Sequence, residues 1–133
     1  MARPKTVHPT PAELEVLKIL WDRGPLTVRE VWEVMQSMKL RRAYTSVLSL
    51  LNVMAEKGLL KRRAEGRAFR FEPHVSREKT VGKMLSDLWQ RAYSGSTSAL
   101  VAHLLDQTRP SDAELHAIRE TLHRFETSQE PPP

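Results

Sequence analysis

No cysteine occurs among the 133 residues. Disulfides, thiolate zinc sites and Cys-based redox chemistry are therefore excluded, and a cytoplasmic protein is expected. Long apolar runs are missing as well. Nothing approaches the about 18 residues that a membrane span needs, so membrane insertion is not expected. The opening MARPKTVHPTP holds no apolar stretch of the kind a secretory signal requires, so no signal peptide is expected. Aromatics are few, with 3 Trp, 2 Tyr and 3 Phe. The core must come from Leu, Val, Met and Ala, a mix that leans helical. Catalytic signatures are lacking too: there is no Gly-rich phosphate loop, no HExxH and no GxSxG. His103, His116 and His123 have no carboxylate or Cys at ligand-like spacing beside them. They are read as ordinary surface or interface histidines, and neither an enzyme, a metal nor a cofactor is expected.

Acidic charge is scarce in one place. Residues 39–70 hold 9 Lys/Arg against 2 Asp/Glu, a net of +7, whereas the whole chain carries +5. Residues 75–133 are close to neutral, with 7 Lys/Arg against 8 Asp/Glu. A basic stretch beside a neutral remainder is the electrostatic footprint of a polyanion binder.

Three sites pair Thr or Ser with a Glu three residues on: Thr10/Glu13, Thr27/Glu30 and Ser111/Glu114. Each reads as a capping box, in which the hydroxyl and the carboxylate satisfy orphan backbone N–H groups reciprocally. The first helix starts near Pro11, buries Leu14, Leu17, Leu20 and Trp21, and stops at Gly24-Pro25. The second follows Thr27, carries Val28, Val31, Trp32 and Met35 on one face, and fades near Met38. A third is expected over Arg41–Gly58, with Val47, Leu50, Leu51 and Met54 facing the core. Its opposite face carries Thr45, Ser49 and Asn52. Small hydroxyls there are unusual, because Glu and Lys are better helix formers on a surface. Trp21, Trp32 and Trp89 fall on apolar stripes and are expected in the core.

LLKRRAEGRAFRFEP (59–73) reads as two short alternating strands with Glu65-Gly66 at the bend. Three helices and a two-stranded ribbon form a winged-helix order, in which the third helix can lie in the DNA major groove. The second half is helical again. One helix is capped by Ser76, SGSTS (94–98) breaks it, ALVAHLL (99–105) follows, and a last helix starts at Pro110-Ser111. Three such stripes are too little to build a core alone, so a second copy of the chain is expected to cover them, the alternative being that they pack back on the winged helix of the same chain. The expected organisation is a mainly α protein. Residues 1–74 form a winged helix-turn-helix with a two-stranded wing, 75–126 a helical dimerisation region, and 127–133 a disordered tail.

PTPAELEVLKILWDRGPLTVREV (9–31), AYTSVLSLLNVMAEKGLL (43–60) and EGRAFRFEP (65–73) resemble, in order and spacing, the signature segments of the BlaI/MecI (penicillinase repressor) family. The resemblance runs through VSREKTVGKMLSDLWQRAYSGSTSALVAHLLDQ to about Phe125. It implies a transcriptional repressor that binds a palindromic double-stranded DNA operator as a homodimer. It also implies a membrane-bound sensor metalloprotease acting upstream and cleavage in the dimerisation region. On this resemblance Thr45, Ser46 and Ser49 face bases and phosphates, and Arg41, Arg42 and Tyr44 stand at the helix start near the backbone; Asn52, which shares their face by helical spacing, is read as DNA-binding with them. Arg63 and Arg67 belong to the wing. Leu85, Leu88, Trp89, Leu100, Val101, Leu104, Leu105, Ile118 and Leu122 are implied at the dimer interface, and His103-Leu104 matches the cleaved bond. Three departures stand out. Val53 occupies a position where the family often has a basic residue, the missing Cys excludes the copper-responsive branch, and His103-Leu104 stands where the best-known members are cut between Asn and Phe. A ligand-responsive regulator of the MarR type is the alternative reading. A winged helix used only for protein contact, or a DNA-processing subunit, is disfavoured by the basic 39–70 stretch and its lack of clustered carboxylates.

Overall fold

The computed structural model describes residues 8–129. The elements run in the order α1 (Pro11–Arg23), β1 (Leu26–Thr27), α2 (Val28–Ser37), α3 (Tyr44–Glu56), β2 (Leu60–Glu65), β3 (Ala68–Pro73), α4 (Arg77–Tyr93), α5 (Thr97–Thr108) and α6 (Asp112–Ser128). The chain divides into two compact units, residues 1–86 and 87–133, with the division falling inside α4.

Local chemistry sets the starts of α1 and α2. At both, the Thr hydroxyl accepts from the Glu backbone N–H while the Glu carboxylate accepts from the Thr N–H. At α6 only the first half of the box is present: Ser111 accepts from the Glu114 N–H. Helix α1 ends where Gly24 takes φ +87°, a conformation that favours glycine.

The core of the first unit joins α1, α2, α3 and the sheet through Val16, Leu17, Leu20, Val31, Met35, Val47, Leu51, Met54 and Phe71, all at most 1% exposed. Val16 and Ile19 belong to this core, whereas Leu14 and Trp21, expected inside, lie half-buried at its margin. Trp32 and Trp89 are half-buried too. Each indole N–H explains why: it must reach a polar partner. Trp21 donates to the Val75 carbonyl at 3.0 Å, Trp32 to the Arg42 carbonyl at 3.1 Å and Trp89 to Thr97 Oγ1 at 3.2 Å.

The sheet is antiparallel with order β1-β3-β2. Leu26 pairs with Phe71, Arg62 with Phe71 and Glu65 with Ala68. The hairpin therefore turns on Gly66-Arg67, one residue later than expected, with Gly66 at φ +61°. Strand β1 has no sequence signature because two residues cannot display alternation.

Three further expectations need correction. Helix α3 begins at Tyr44 rather than Arg41, because Ala43 has no capping side chain and Arg42 is held outside the helix by α1 and α2. Helix α5 is longer than ALVAHLL, since Ser96 caps it at Ala99 N and it continues to Thr108. Thr127 and Ser128, expected in a disordered tail, end α6; residues 130–133 lie outside the described ones.

Glu13 is 3% exposed and is the one buried charged side chain among the described residues. Oε1 accepts from the Thr10 N–H at 2.9 Å and Oε2 from Lys57 Nζ at 2.7 Å. Burial opposes its charge, but the bonds from Lys57 and Thr10 outweigh that cost and hold the carboxyl below its ordinary value. A lowered carboxylate pKa stabilises the fold above the unfolded value, about 4.3, and the contribution is lost as pH falls through the folded value. The Glu13→Gln variant is thus expected to be about 1–2 kcal/mol less stable at pH 7. The difference should shrink below about pH 4. Urea unfolding at both pH values checks this, and an unchanged difference would remove the ion pair from the account.

Candidate nucleic-acid interface

Helix α3 has two unlike faces. Val47, Leu51 and Met54 are fully buried on one. On the other, Thr45, Ser46 and Ser49 are exposed, with Asn52 half-buried in line with them. Helical spacing accounts for both: 45, 49 and 52 fall on one stripe, and 47, 51 and 54 on the opposite one.

The outward stripe has two flanks. On one side Thr45, Ser46 and Ser49, with Ala12, Arg42, Leu50 and Val53, line an open depression of about 490 Å³. No carboxylate lines it. Val53 is exposed there and presents an apolar surface where the resemblance implied a cation. On the other side Tyr44, Leu48 and Asn52 face the hairpin residues Arg62, Arg67 and Phe69 across a cavity of about 560 Å³.

The arginines expected as one group have different surroundings. Arg41 is exposed beside α3, and Arg67 is exposed at the hairpin turn. Arg42 is half-buried, and its Nε and Nη2 donate to Glu15 Oε1 at 3.2 and 3.0 Å. It lines the depression while fastening the α2–α3 loop. Arg63 pairs with Glu72 at 3.0 Å on the face of the hairpin turned away from Arg62 and Phe69. Arg70 bridges Glu65, Glu30 and the Pro25 carbonyl, so it ties the hairpin to the start of α2. Its guanidinium holds Glu65 below the ordinary carboxylate range. Tyr44 packs edge-on against Trp32, ring centroids 5.9 Å apart.

Sequence reasoning missed Arg62. Its Nη1 donates to Asn52 Oδ1 at 2.9 Å, and its guanidinium lies 4.9 Å from the Phe69 ring centroid. Strand alternation alone could have placed Arg62 and Phe69 on one face. The reach to Asn52 needs the tertiary seating of α3.

The residues expected at a dimer interface lie on α4, α5 and α6, helices in which no residue is buried. Leu85, Leu88, Val101, Leu104, Ile118 and Leu122 are exposed, Leu104 and Leu122 to 54% and 56%. Trp89, Leu100 and Leu105 are half-buried. His103 and Leu104 are exposed within α5, and the His103 ring is hydrogen-bonded through Nδ1 to the Tyr93 hydroxyl. Among the described residues no helix is long and apolar enough to cross a membrane, and no group of three or more His, Asp or Glu could hold a metal ion.

A three-helix unit with an antiparallel hairpin after its third helix, and with that helix bare on its outer face, defines a winged helix-turn-helix protein. The comparisons make the class specific. The penicillinase repressor family model matches residues 9–124. The chain is 34% identical over 116 residues to the transcriptional regulator BlaI of Mycobacterium tuberculosis, spanning 86% of this chain and 82% of that one. It is 25% identical over 111 residues to the penicillinase repressor of Bacillus licheniformis, spanning 84% and 86%. Among solved structures it is similar to the solution structure of the DNA-binding domain of the repressor BlaI. The identity there is 25% and the TM-score 0.47, over 58% of this chain and 90% of that one. This chain belongs to the penicillinase repressor family.

Arg41 and Arg42 are expected to separate by stability. Arg42→Ala removes two hydrogen bonds to a half-buried carboxylate, a cost of about 0.5–1.5 kcal/mol after allowance for solvent screening. Arg41→Ala should stay within about 0.5 kcal/mol of the parent. Denaturant unfolding of both variants checks this; equal stability would mean that the Glu15 contact contributes nothing.

Proposed function

We propose that this chain is a transcriptional repressor that binds a two-fold symmetric DNA operator as a homodimer. The outer stripe of α3 enters the major groove and the β2–β3 hairpin lies along the neighbouring backbone. The observation that carries this reading is the stripe itself: exposed Thr45, Ser46 and Ser49 with half-buried Asn52, opposite a fully buried apolar face. Small hydroxyls let a helix seat closely against base edges, where they donate or accept, and a Thr methyl can touch a thymine methyl. Arg41 at the helix start and Arg67 at the wing tip supply phosphate contacts, and Arg42 holds the loop from which α3 begins. Membership in a repressor family makes a regulatory role the natural one, and no catalytic role is proposed.

The partner for the apolar helices is a second copy of the chain. Leu88, Val101, Leu104, Ile118 and Leu122 are exposed apolar side chains, and pairing two copies would cover them and link two half-sites on one duplex. Relief of repression is proposed to come from a sensor-linked signal, with α5 as the vulnerable element. A cut at His103-Leu104 would sever α6 and the end of α5 from the winged helix. The bond lies inside a helix, so a protease would need local opening, which the break at Ser94-Gly95 favours.

Thr45→Ala or Ser49→Ala is expected to cost about 1–3 kcal/mol on the operator and to relax sequence preference. Arg67→Ala should weaken binding to every duplex alike and reduce the salt slope by about one unit. Binding isotherms on operator and scrambled DNA across salt concentrations decide it. Equal losses on both DNAs for Ser49→Ala would take this residue out of base reading. For the dimer, the Leu104→Asp/Leu122→Asp chain should sediment as a monomer and bind the full operator about tenfold or more weakly. A parent chain that sediments as a monomer at micromolar concentration yet binds tightly would overturn the dimer. Mass spectrometry after induction should find an N-terminal fragment ending between Ala99 and Leu105; intact chain with released operator would point to loosening without a cut.

A further inference from the structure

Arg62 and Asn52 form a clasp between the wing and α3, and its chemistry bears on which base α3 can read. Arg62 comes from β2 and Asn52 from the outward stripe of α3. Arg62 Nη1 donates to Asn52 Oδ1 at 2.9 Å. The same guanidinium rests against Phe69, its Cζ 4.9 Å from the ring centroid. Phe69 stands diagonally across the hairpin from Arg62, whose direct partner on β3 is Phe71. Phe71 is buried in the core, so the strand carrying the platform is fixed. Arg62 is therefore held by a cation–π contact on one side and a charge-assisted hydrogen bond on the other.

The bond fixes the direction of the Asn52 amide. A guanidinium has donors only, so the amide oxygen, and not the NH₂ group, must face it. With Oδ1 turned to the wing, the NH₂ group is left to face away from it, as a donor. Asparagine reads adenine by presenting its oxygen and nitrogen together, accepting from N6 and donating to N7. In a clasped Asn52 the oxygen is engaged by Arg62, and the NH₂ group is what the amide has free to offer. It can donate to a base edge that carries an acceptor, which is guanine N7 or O6, adenine N7 or thymine O4, whereas cytosine presents only its N4 donor. Released from Arg62, the amide could rotate and the restriction would go.

We propose that Arg62 is a positioning residue that sets the sequence preference of α3 by orienting the Asn52 amide as a donor, so that the base read by Asn52 is one with a major-groove acceptor and not cytosine. This inference rests on the DNA-binding reading above. The wing then contributes to specificity through α3 as well as to affinity through the backbone.

The test is selection of duplexes from a randomised library by the full chain and by its Arg62→Met, Arg62→Lys and Asn52→Ala variants. Methionine keeps an apolar arm against Phe69 without a donor, and lysine keeps charge and donor. Thermal unfolding of each variant verifies that it folds. The parent chain should enrich a motif in which one position per half-site excludes cytosine. Arg62→Met and Asn52→Ala should both lose about fivefold or more of the discrimination at that same position. Arg62→Lys should retain most of it, and the double variant should lose no more than Asn52→Ala alone. Cytosine at the Asn52-dependent position, effects at different positions, or a uniform loss on all sequences for Arg62→Met would overturn the clasp and leave the repressor reading standing. A folded parent chain that enriches no motif would overturn both. Should Arg62→Met fail to fold, Arg62→Lys and Asn52→Ala still decide the base identity at that position.

Discussion

Two carboxylates of α1 grip the two ends of α3, and the presentation of that helix depends on them. Glu15 holds Arg42, just before α3 begins, and Glu13 holds Lys57, just after it ends. The spacing on α1 is two residues, yet the two contacts span the full length of α3. Between them Val47, Leu51 and Met54 are pressed into the core. A helix so fixed can leave its opposite face bare without losing its place. The cost is one buried carboxylate, offset because both of its oxygens are hydrogen-bonded.

From this constraint the division of labour among the basic residues follows. Of the excess positive charge in residues 39–70, Arg42, Lys57 and Arg70 are engaged in holding the scaffold, and Arg62 in holding Asn52. Arg41 and Arg67 are exposed at the two edges of the outward stripe. A basic stretch in the sequence is thus not a uniform polyanion-binding surface. About half of its charge is internal architecture, and Arg41 and Arg67 are the exposed cations beside the hydroxyls. That arrangement suits a helix meant to approach a groove closely, because long cations on the stripe itself would hold it off.

The parts of this fold legible in the sequence are those written by local chemistry. Capping boxes at Thr10 and Thr27 fixed the starts of α1 and α2, Gly24 the end of α1, and strand alternation the wing. Where tertiary contacts decide, the reading fell short. Arg41 and Arg42 look helical in sequence, but Trp32 and Glu15 hold Arg42 in the loop. The Gly66-Arg67 turn and the two-residue β1 depend on pairing that period-2 patterning cannot resolve. The three tryptophans were placed by hydrophobicity, whereas their N–H groups seat them at the margins. Of the candidate site, the Thr45–Ser49 stripe was visible from helical spacing. The partners of Arg42, Arg63 and Arg62 were not, since each lies across an element boundary.

The central claim is that α3 meets DNA through this one stripe, with the wing tip beside it. The most direct test is the amide NMR spectrum of the full chain titrated with the duplex it selects. Shifts should concentrate at Thr45, Ser46, Ser49 and Asn52 and at the Gly66-Arg67 turn, with the buried Val47, Leu51 and Met54 amides moving less. Shifts of equal size throughout α6, with the α3 stripe unmoved, would contradict the account.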